Sequence, residues 1–221
     1  WLAVAGQQGV WVTDLDSGGE VPRLLNQQMG KVNTVTFHPD HTLISGGDDG
    51  IVRFWNVETG EEIRIIEAAQ NPVINMDFDT SGNTLAVSTR PYIRLFNTQT
   101  GEEIRRLDDK EGGVRRVEFV NNTPLLFGAT FDNSLAIWNL ENNSYMGEIQ
   151  ESVNDDVRGM SISSDGTQFA AALVSGRIVI GNTNNSEQLA LDYHTQAVRD
   201  VQFSPNNRLV ASVGMDNVAL L

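Results

Sequence analysis

The strongest constraint on the fold of this chain is an internal repeat with a period of about 41 residues. Five hexapeptides have apolar residues at their first, fourth and sixth positions, and their first residues are spaced 41, 41, 43 and 41 residues apart. They are VNTVTF at 32–37, VINMDF at 73–78, VRRVEF at 114–119, VRGMSI at 157–162 and VRDVQF at 198–203. The step from the fourth to the sixth position is the alternation of a β-strand. The step from the first to the fourth position breaks that alternation by one residue, as a β-bulge does.

Three further strands are predicted after each hexapeptide. In the second repeat a turn cluster, DTSGN at 79–83, precedes TLAVS at 84–88, YIRLF at 92–96 and EEIRRL at 102–107. Short apolar segments separated by turn residues indicate an all-β fold, and no segment has sustained helical periodicity. Four strands in a period of this length predict the antiparallel, four-stranded blades of a β-propeller.

Several segments carry a family resemblance. DDGIVRFWN at 48–56 and FDNSLAIWN at 131–139 resemble the third-strand signature of WD-repeat proteins, and DYHTQAVRDVQFSPNN at 192–207 resembles the start of such a repeat. Blades of that family contain a polar network of a His, a turn Asp, a Ser or Thr and a Trp indole. The resemblance assigns structural roles of this kind to Trp55, Trp138, Asp49, Asp132, Ser134, His194 and Asp216.

This chain also departs from the family pattern. Asn follows Trp55 and Trp138 where the family has Asp, Phe96 and Gly181 stand at the Trp position of two other units, and one unit has the His. We expect Asp216 to be the partner of His194. Because no blade has every member of the network, we expect blade stability to depend mainly on strand packing.

The alignment of the repeats predicts a single WD-repeat-like propeller domain over residues 1–221 that is incomplete at both ends. The chain enters at the second strand of one blade and leaves in the third strand of another, which predicts four whole and two partial blades. Units begin near residues 32, 73, 114, 157 and 198. Rings of this family most often have seven blades, about 287 residues at this period, so we expect a fragment of a seven-bladed ring. The remaining blades would come from the same longer chain or from another subunit.

Composition narrows the classes of function. The 221 residues include 15 Lys and Arg, 29 Asp and Glu and no Cys, and the formal net charge is −14. Such acidity disfavours binding to nucleic acid or to an anionic membrane. The absence of Cys excludes a disulfide scaffold, a Cys-ligated metal site and a Cys nucleophile. It is compatible with a reducing compartment, and we expect a cytoplasmic protein.

The sequence predicts no catalytic site, metal site or cofactor. His38, His41 and His194 lie neither beside a nucleophile nor at metal-ligand spacing, and no phosphate-binding Gly-rich loop is present. The segment Asp14–Glu20 has the alternating oxygen ligands of a calcium loop. However, it lacks further acidic ligands and aligns with the turn between the third and fourth strands of other repeats.

The residue after the bulge Val faces the top opening of the central channel in WD-repeat proteins. That position holds Asn33, Ile74, Arg115, Arg158 and Arg199 in this chain. The resemblance also assigns the candidate binding residues Asp48, Phe131 and Met215 to this face, and Lys31, which precedes Val32, is a further candidate at its rim. Arg binds carboxylate or phosphate in a planar, bidentate manner, so three Arg side chains from consecutive blades predict an anion-binding surface. The alternative is that each Arg pairs locally, for instance with Asp156 or Asp200; the direction of Arg116 stays open.

The function that the resemblance implies is non-catalytic protein–protein interaction. We expect a platform or scaffold that binds an acidic or phosphorylated peptide, or a protein surface of that kind, through the Arg-lined face. One alternative is a partner-sensing domain of a larger signalling protein with an ATPase, kinase or protease effector elsewhere. A propeller enzyme and a structural coat or assembly subunit are less favoured, since no His, metal set or nucleophile with a base converges.

Overall fold

The computed structural model describes residues 1–16, 21–25, 30–108, 113–142, 144–148, 155–183 and 187–221. The regular secondary structure of these ranges is entirely β. They contain no helix that is long and apolar enough to cross a membrane. The chain divides into two compact units, Trp1–Asp109 and Lys110–Leu221.

The first unit contains three antiparallel sheets, each a meander in which consecutive strands pair. Sheet 1 comprises β1 (Leu2–Gly6), β2 (Gly9–Thr13) and β3 (Arg23–Leu25). Sheet 2 comprises β4 (Val32–Phe37), β5 (Leu43–Gly47), β6 (Ile51–Trp55) and β7 (Glu62–Glu67). Sheet 3 comprises β8 (Asn75–Phe78), β9 (Thr84–Ser88), β10 (Tyr92–Asn97) and β11 (Glu103–Asp108).

The second unit has the same construction. Sheet 4 comprises β12 (Val114–Phe119), β13 (Leu125–Thr130), β14 (Leu135–Asn139) and β15 (Ser144–Glu148). Sheet 5 comprises β16 (Val157–Ile162), β17 (Gln168–Leu173), β18 (Ile178–Asn182) and β19 (Gln188–Leu191). Sheet 6 comprises β20 (Val198–Phe203), β21 (Val210–Gly214) and β22 (Ala219–Leu220). In the described parts of the chain, six blade-like sheets of three or four strands thus form the all-β architecture that the repeat predicts.

The turns between the third and fourth strands follow from their sequence. In sheet 2 the Asn56 side-chain oxygen accepts hydrogen bonds from the amides of Glu58 (2.9 Å) and Thr59 (3.0 Å). Gly60 then adopts a φ of 78°, a left-handed conformation that is easiest for Gly. The segment beginning at Asn97 repeats this turn in sheet 3, with hydrogen bonds of 2.9 Å to each of the two corresponding amides. The N-x-x-T-G sequence, which both segments share, therefore favours the same chain reversal in both sheets.

The first Val of each hexapeptide belongs to the core. Val32, Val73, Val114, Val157 and Val198 are all at most 1% exposed. Apolar side chains fill the space between neighbouring sheets within each unit, for example Met160 and Phe169 between sheets 4 and 5. Burial of these Val side chains explains why the alternation breaks after them. One extra residue keeps the Val in the core and turns the next side chain outward.

Sheet 3 differs from the predicted pattern at its start. Its first strand begins at Asn75 rather than at Val73. The Val73 amide donates instead to the Gly47 carbonyl oxygen of sheet 2 (2.9 Å), and the Ile74 amide donates to the Ser88 carbonyl oxygen (2.8 Å). The bulge position of this repeat is therefore hydrogen-bonded to two sheets.

The seven-bladed ring and the single domain over residues 1–221 stay predictions.

Candidate functional site

The bulge places one side chain per sheet outside the strand ladder. In sheets 2, 4, 5 and 6 the pairing register shifts directly after the core Val. The residues skipped by the ladder are Asn33, Arg115, Arg158 and Arg199. A bulge re-aims the extra side chain. The local fold therefore presents these four side chains at equivalent positions of their sheets.

A second set of residues lies beside each bulge because of a repeated backbone hydrogen bond. In the second unit the amide of Phe131 donates to the Gly113 carbonyl oxygen (3.0 Å), and the amide of Met215 donates to the Ala197 carbonyl oxygen (2.8 Å). In the first unit the Asp48 amide makes the equivalent bond to Lys31 (2.9 Å). In each case this hydrogen bond holds the residue that precedes the turn Asp next to the residue that precedes the bulge Val.

Two of the three predicted Arg residues converge on one carboxylate. The Asp156 Oδ2 atom lies 3.7 Å from Arg115 Nη2 and 3.4 Å from Arg158 Nη2. Arg115 also stacks on Phe131, with its guanidinium carbon 4.4 Å from the ring centroid, a cation–π contact. The local pairing with Asp156 that the sequence offered as an alternative is therefore present. The same contact demonstrates that side chains from sheets 4 and 5 reach a common point.

Arg199 has a different environment. It is exposed, and the structure gives its side chain no ion pair within the described ranges. Its carbonyl oxygen lies 3.2 Å from the position that a Cβ would take on Gly159, so β20 runs directly beside β16 at this level. Met215, 47% exposed, lies beside the same bulge. We call Arg115, Arg158, Arg199, Phe131 and Met215 the arginine surface.

Arg116, whose direction the sequence left open, does not belong to the arginine surface. Its guanidinium forms an ion pair with Asp200, which stands on β20, past the intervening strand β16. Two residues further along these strands, Ser161 lies 3.4 Å from Glu118 and accepts a 3.0 Å hydrogen bond from Gln202. Polar contacts therefore link the first strands of sheets 4, 5 and 6.

The candidates of the first unit are joined to one another by hydrogen bonds. The Asn33 side-chain amide donates to Asp48 Oδ1 (2.9 Å) and to the Val73 carbonyl oxygen (3.0 Å). Lys31 is exposed. Because the side-chain amide of Asn33 already makes two hydrogen bonds, Lys31 and Asp48 are the more accessible binding candidates in this unit.

The turn Asp of sheet 2 has an Arg partner rather than a His. Asp49 Oδ2 lies 2.7 Å from Arg53 Nη1, and Arg53 Nε lies 3.2 Å from Glu62 Oε2. Arg53 is 6% exposed, so its charge is balanced by two carboxylates inside the sheet. The Trp55 indole donates to Ser45 Oγ at 2.8 Å. The sequence identified Asp49 and Trp55 and placed Arg53 as a structural or surface residue. It did not identify Arg53 as the partner of Asp49, because the family pattern has a His in that role.

Sheet 4 contains part of the network. Ser134 Oγ donates to Asp132 Oδ1 (3.0 Å) and lies 2.9 Å from the Thr130 hydroxyl, which also bonds to Asp132. The Trp138 Nε1 atom is buried and has no hydrogen-bond partner among the described residues. The network therefore stops short of Trp138. At the position that matches Ser45, the chain has Gly128, and a Cβ there would lie 2.8 Å from the Trp138 ring.

Sheet 6 contains the His-centred network. His194 Nδ1 lies 3.0 Å from each oxygen of Asp216, and Nε2 lies 2.9 Å from Ser212 Oγ. A proton on Nδ1 lets the ring donate to the carboxylate and accept from the hydroxyl. Desolvation alone would raise the pKa of Asp216, but hydrogen bonds from His194 and two backbone amides outweigh it and hold that pKa below the usual value. Ser212 was not identified from sequence, although its place two residues before Gly214 matches Ser45 before Gly47.

The Asp14 and His38 side chains, which the sequence weighed as metal ligands, make other contacts among the described residues. No three His, Asp or Glu residues of the described ranges lie close enough together to hold a metal ion. In the segment that resembles a calcium loop, the Asp14 carboxylate accepts the Asp16 amide at 2.9 Å, and residues 17–20 lie outside the described residues. The His38 ring instead connects sheets 2 and 3. Its Nδ1 atom lies 2.7 Å from Asp40 Oδ1 in the same turn, and its Nε2 atom lies 2.9 Å from the Gly82 carbonyl oxygen of sheet 3.

Comparisons with known proteins agree with the blade-like sheets. Residues 20–56 and 185–221 match the family described as "WD domain, G-beta repeat". The spindle assembly checkpoint protein bub3 of Schizosaccharomyces pombe is 34% identical over 59 residues, which cover 26% of this chain and 18% of that protein. The nuclear distribution protein nudF of Emericella nidulans is 28% identical over 188 residues, which cover 82% of this chain and 42% of that protein. The chain thus spans less than half the length of each of these relatives.

A solved structure has the same fold. A chain of the crystal structure of a mitotic checkpoint complex superposes with a TM-score of 0.84 at 16% sequence identity. The match covers 98% of this chain and 71% of that one. At this identity the likeness concerns the fold alone.

Proposed function

We propose that this chain, two segments of which match the WD-repeat family of β-propeller proteins, is a non-catalytic platform for protein–protein interaction. In this proposal the arginine surface binds an acidic or phosphorylated segment of a partner protein. Rigid scaffolds commonly carry their binding residues on the loops and irregular positions at strand ends, and the bulges are such positions. The relative named as a spindle assembly checkpoint protein favours a role among protein partners.

The observation that carries the proposal is the contact of one carboxylate with two guanidinium groups. Asp156 stands where Arg115 and Arg158 approach each other, and an incoming carboxylate or phosphoryl group would use the same donors. The three Arg side chains bring positive charge together in a chain whose formal net charge is −14. A local positive charge on an acidic protein steers acidic partners to this surface.

The neighbouring side chains suit a peptide ligand. Phe131 and the exposed Met215 offer apolar area beside the guanidinium groups, and such contacts supply affinity that exposed charge pairs do not. Lys31, Asn33 and Asp48 occupy equivalent positions in the first unit, and we propose them as contact residues of that unit.

We also propose that the chain is part of a larger ring. The seven-bladed ring predicted from the repeat would receive its other blades from the same longer polypeptide or from a second subunit. The setting proposed for this ring is the cytoplasm, with no nucleic acid or membrane among its ligands.

Capture of partners from a native lysate tests the proposed function. The full-length protein is compared with a variant that carries Arg115→Glu, Arg158→Glu and Arg199→Glu, and bound proteins are identified by mass spectrometry. A matched control, Arg105→Glu with Arg106→Glu and Arg208→Glu, changes the net charge equally outside the arginine surface. We expect partners that bind to the native protein and to the control but not to the first variant, and whose binding weakens with salt. Equal capture by all three proteins would overturn the proposal, provided that each remains folded by circular dichroism.

A further inference from the structure

We propose that Asp156 is an internal competitor of the anionic ligand, so that the arginine surface is partly occupied by its own chain until a ligand displaces this carboxylate. The inference rests on the proposed function, since it concerns the regulation of that same surface. In this proposal Asp156 competes with the ligand for Arg115 and Arg158, rather than only holding these side chains in place.

The backbone holds Asp156 at the base of the bulge. Its carbonyl oxygen accepts the Val174 amide at 3.0 Å, and its own amide donates to Asp155 Oδ1 at 2.8 Å. The next residue, Val157, is fully buried in the core. The main chain of Asp156 is therefore fixed, while its side chain, 36% exposed, extends toward the arginine surface.

The two contacts of the carboxylate are weak by their geometry. Strong charge-assisted N–H···O hydrogen bonds are about 2.7–2.9 Å long. The distances to Arg158 and Arg115 are 3.4 and 3.7 Å, and the Arg158 side chain is 38% exposed. The Arg158 pair is exposed, and exposed pairs contribute little free energy. The Arg115 side chain is 19% exposed, but its distance of 3.7 Å is too long for a hydrogen bond. A ligand can therefore displace the carboxylate without removing a strong interaction.

The charges determine which ligands succeed. A singly charged carboxylate would offer the two Arg side chains the same kind of acceptor that Asp156 already provides. A phosphoryl group carries close to two negative charges near neutral pH and has three acceptor oxygens. It can replace Asp156 and also satisfy Arg199, which has no ion pair among the described residues. Competition by Asp156 therefore favours a phosphorylated segment over an acidic one.

The Asp156→Asn substitution isolates this effect, because it removes the charge and keeps the shape. The matched control is Asp155→Asn. This neighbouring carboxylate accepts the Ser175 amide at 2.7 Å instead of contacting Arg115 or Arg158, and its loss changes the net charge equally. The probes are three fluorescein-labelled synthetic peptides with a neutral Gly-Ser background that carry a single central phosphoserine, glutamate or serine. Fluorescence anisotropy measures the Kd of each peptide for the full-length native protein and both variants, and thermal unfolding checks their fold.

We expect the native protein to bind the phosphoserine peptide more tightly than the glutamate peptide, with the serine peptide weakest. Asp156→Asn should tighten binding of the phosphoserine peptide by about fivefold to tenfold, since the ion pairs of Asp156 with Arg115 and Arg158 no longer compete. Asp155→Asn should change it by less than about twofold, because it lies outside the contact.

The possible failures are distinguishable. If the native protein binds the phosphoserine peptide and Asp156→Asn leaves binding unchanged or weaker, the competitor role is wrong and the proposed function stands. If Asp155→Asn tightens binding as much as Asp156→Asn, general electrostatics replaces competition as the cause. If neither the native protein nor Asp156→Asn binds any peptide, both proposals are overturned, because that variant leaves all three Arg side chains without this competing carboxylate.

Discussion

Arg116 on β12 and Asp200 on β20 form an ion pair past the strand that lies between them, β16. The residue of β16 at that level is Gly159. A Cβ on Gly159 would lie 2.8 Å from the Asp200 Cα atom and 2.6 Å from its Oδ1 atom. The absence of a side chain at this position is what lets β20 approach β16 and lets Arg116 reach Asp200.

Gly159→Ala should therefore destabilise the protein by about 1–3 kcal/mol, the usual cost of forcing an extra methyl group into a packed region. The conflict is with backbone as well as with a side chain, so rotamer changes cannot relieve it. Gly6→Ala is the matched control, because a Cβ there would meet its nearest neighbour at 3.8 Å. Chemical denaturation measures both free energies of unfolding. Equal effects of the two substitutions would contradict this explanation of Gly159.

The two buried Trp residues should respond differently to replacement by Phe. Trp55 Nε1 donates to Ser45 Oγ, whereas the buried Trp138 Nε1 has no hydrogen-bond partner among the described residues. Trp55→Phe loses a hydrogen bond in addition to packing, so we expect it to cost about 1 kcal/mol more than Trp138→Phe. The comparison of the two free energies of unfolding checks this, and a larger cost for Trp138→Phe would show that its indole N–H is satisfied in solution.

Acid should remove the contribution that Asp165 makes to the free energy of unfolding. This residue lies in the turn after β16. Hydrogen bonds from the Ser163 hydroxyl and from the amide and hydroxyl of Thr167 lower the pKa of Asp165 from 3.8 to about 2. Because the folded-state pKa is depressed, the ionised form stabilises the fold above pH 3.8, and this contribution is lost as the pH falls toward 2. The native protein should therefore be more stable than Asp165→Asn near neutral pH, with a difference that shrinks between pH 4 and pH 2. Unfolding measured across this range checks the sign, and a difference that stays constant with pH would exclude it.

Much of the fold could be predicted because its signals are local. The buried Val of each repeat and the turns at Asn56 and Asn97 act within a few residues, so the repeat predicts the strands and the bulges. The start of sheet 3 was missed because the amide of Val73 bonds to a neighbouring sheet, which no local pattern encodes.

The candidate site could be predicted less completely. The repeat predicts that Arg115, Arg158 and Arg199 stand at bulge positions, and the family resemblance assigns their side chains to one face. The sequence left open the partners of these side chains, which depend on distances between repeats. The contacts of Arg116 with Asp200 and of Arg53 with two carboxylates required the structure for the same reason.

The central claim is that three Arg side chains from consecutive sheets act on one anionic ligand. Its most direct test is the affinity of the labelled phosphoserine peptide for the native protein and for Arg115→Gln, Arg158→Gln and Arg199→Gln, made singly, with Arg208→Gln as the control. The account predicts that each of the first three substitutions weakens binding by about fivefold to tenfold, since each removes a charge-assisted contact, and that the control binds like the native protein. Affinities that are the same for all five proteins would contradict it.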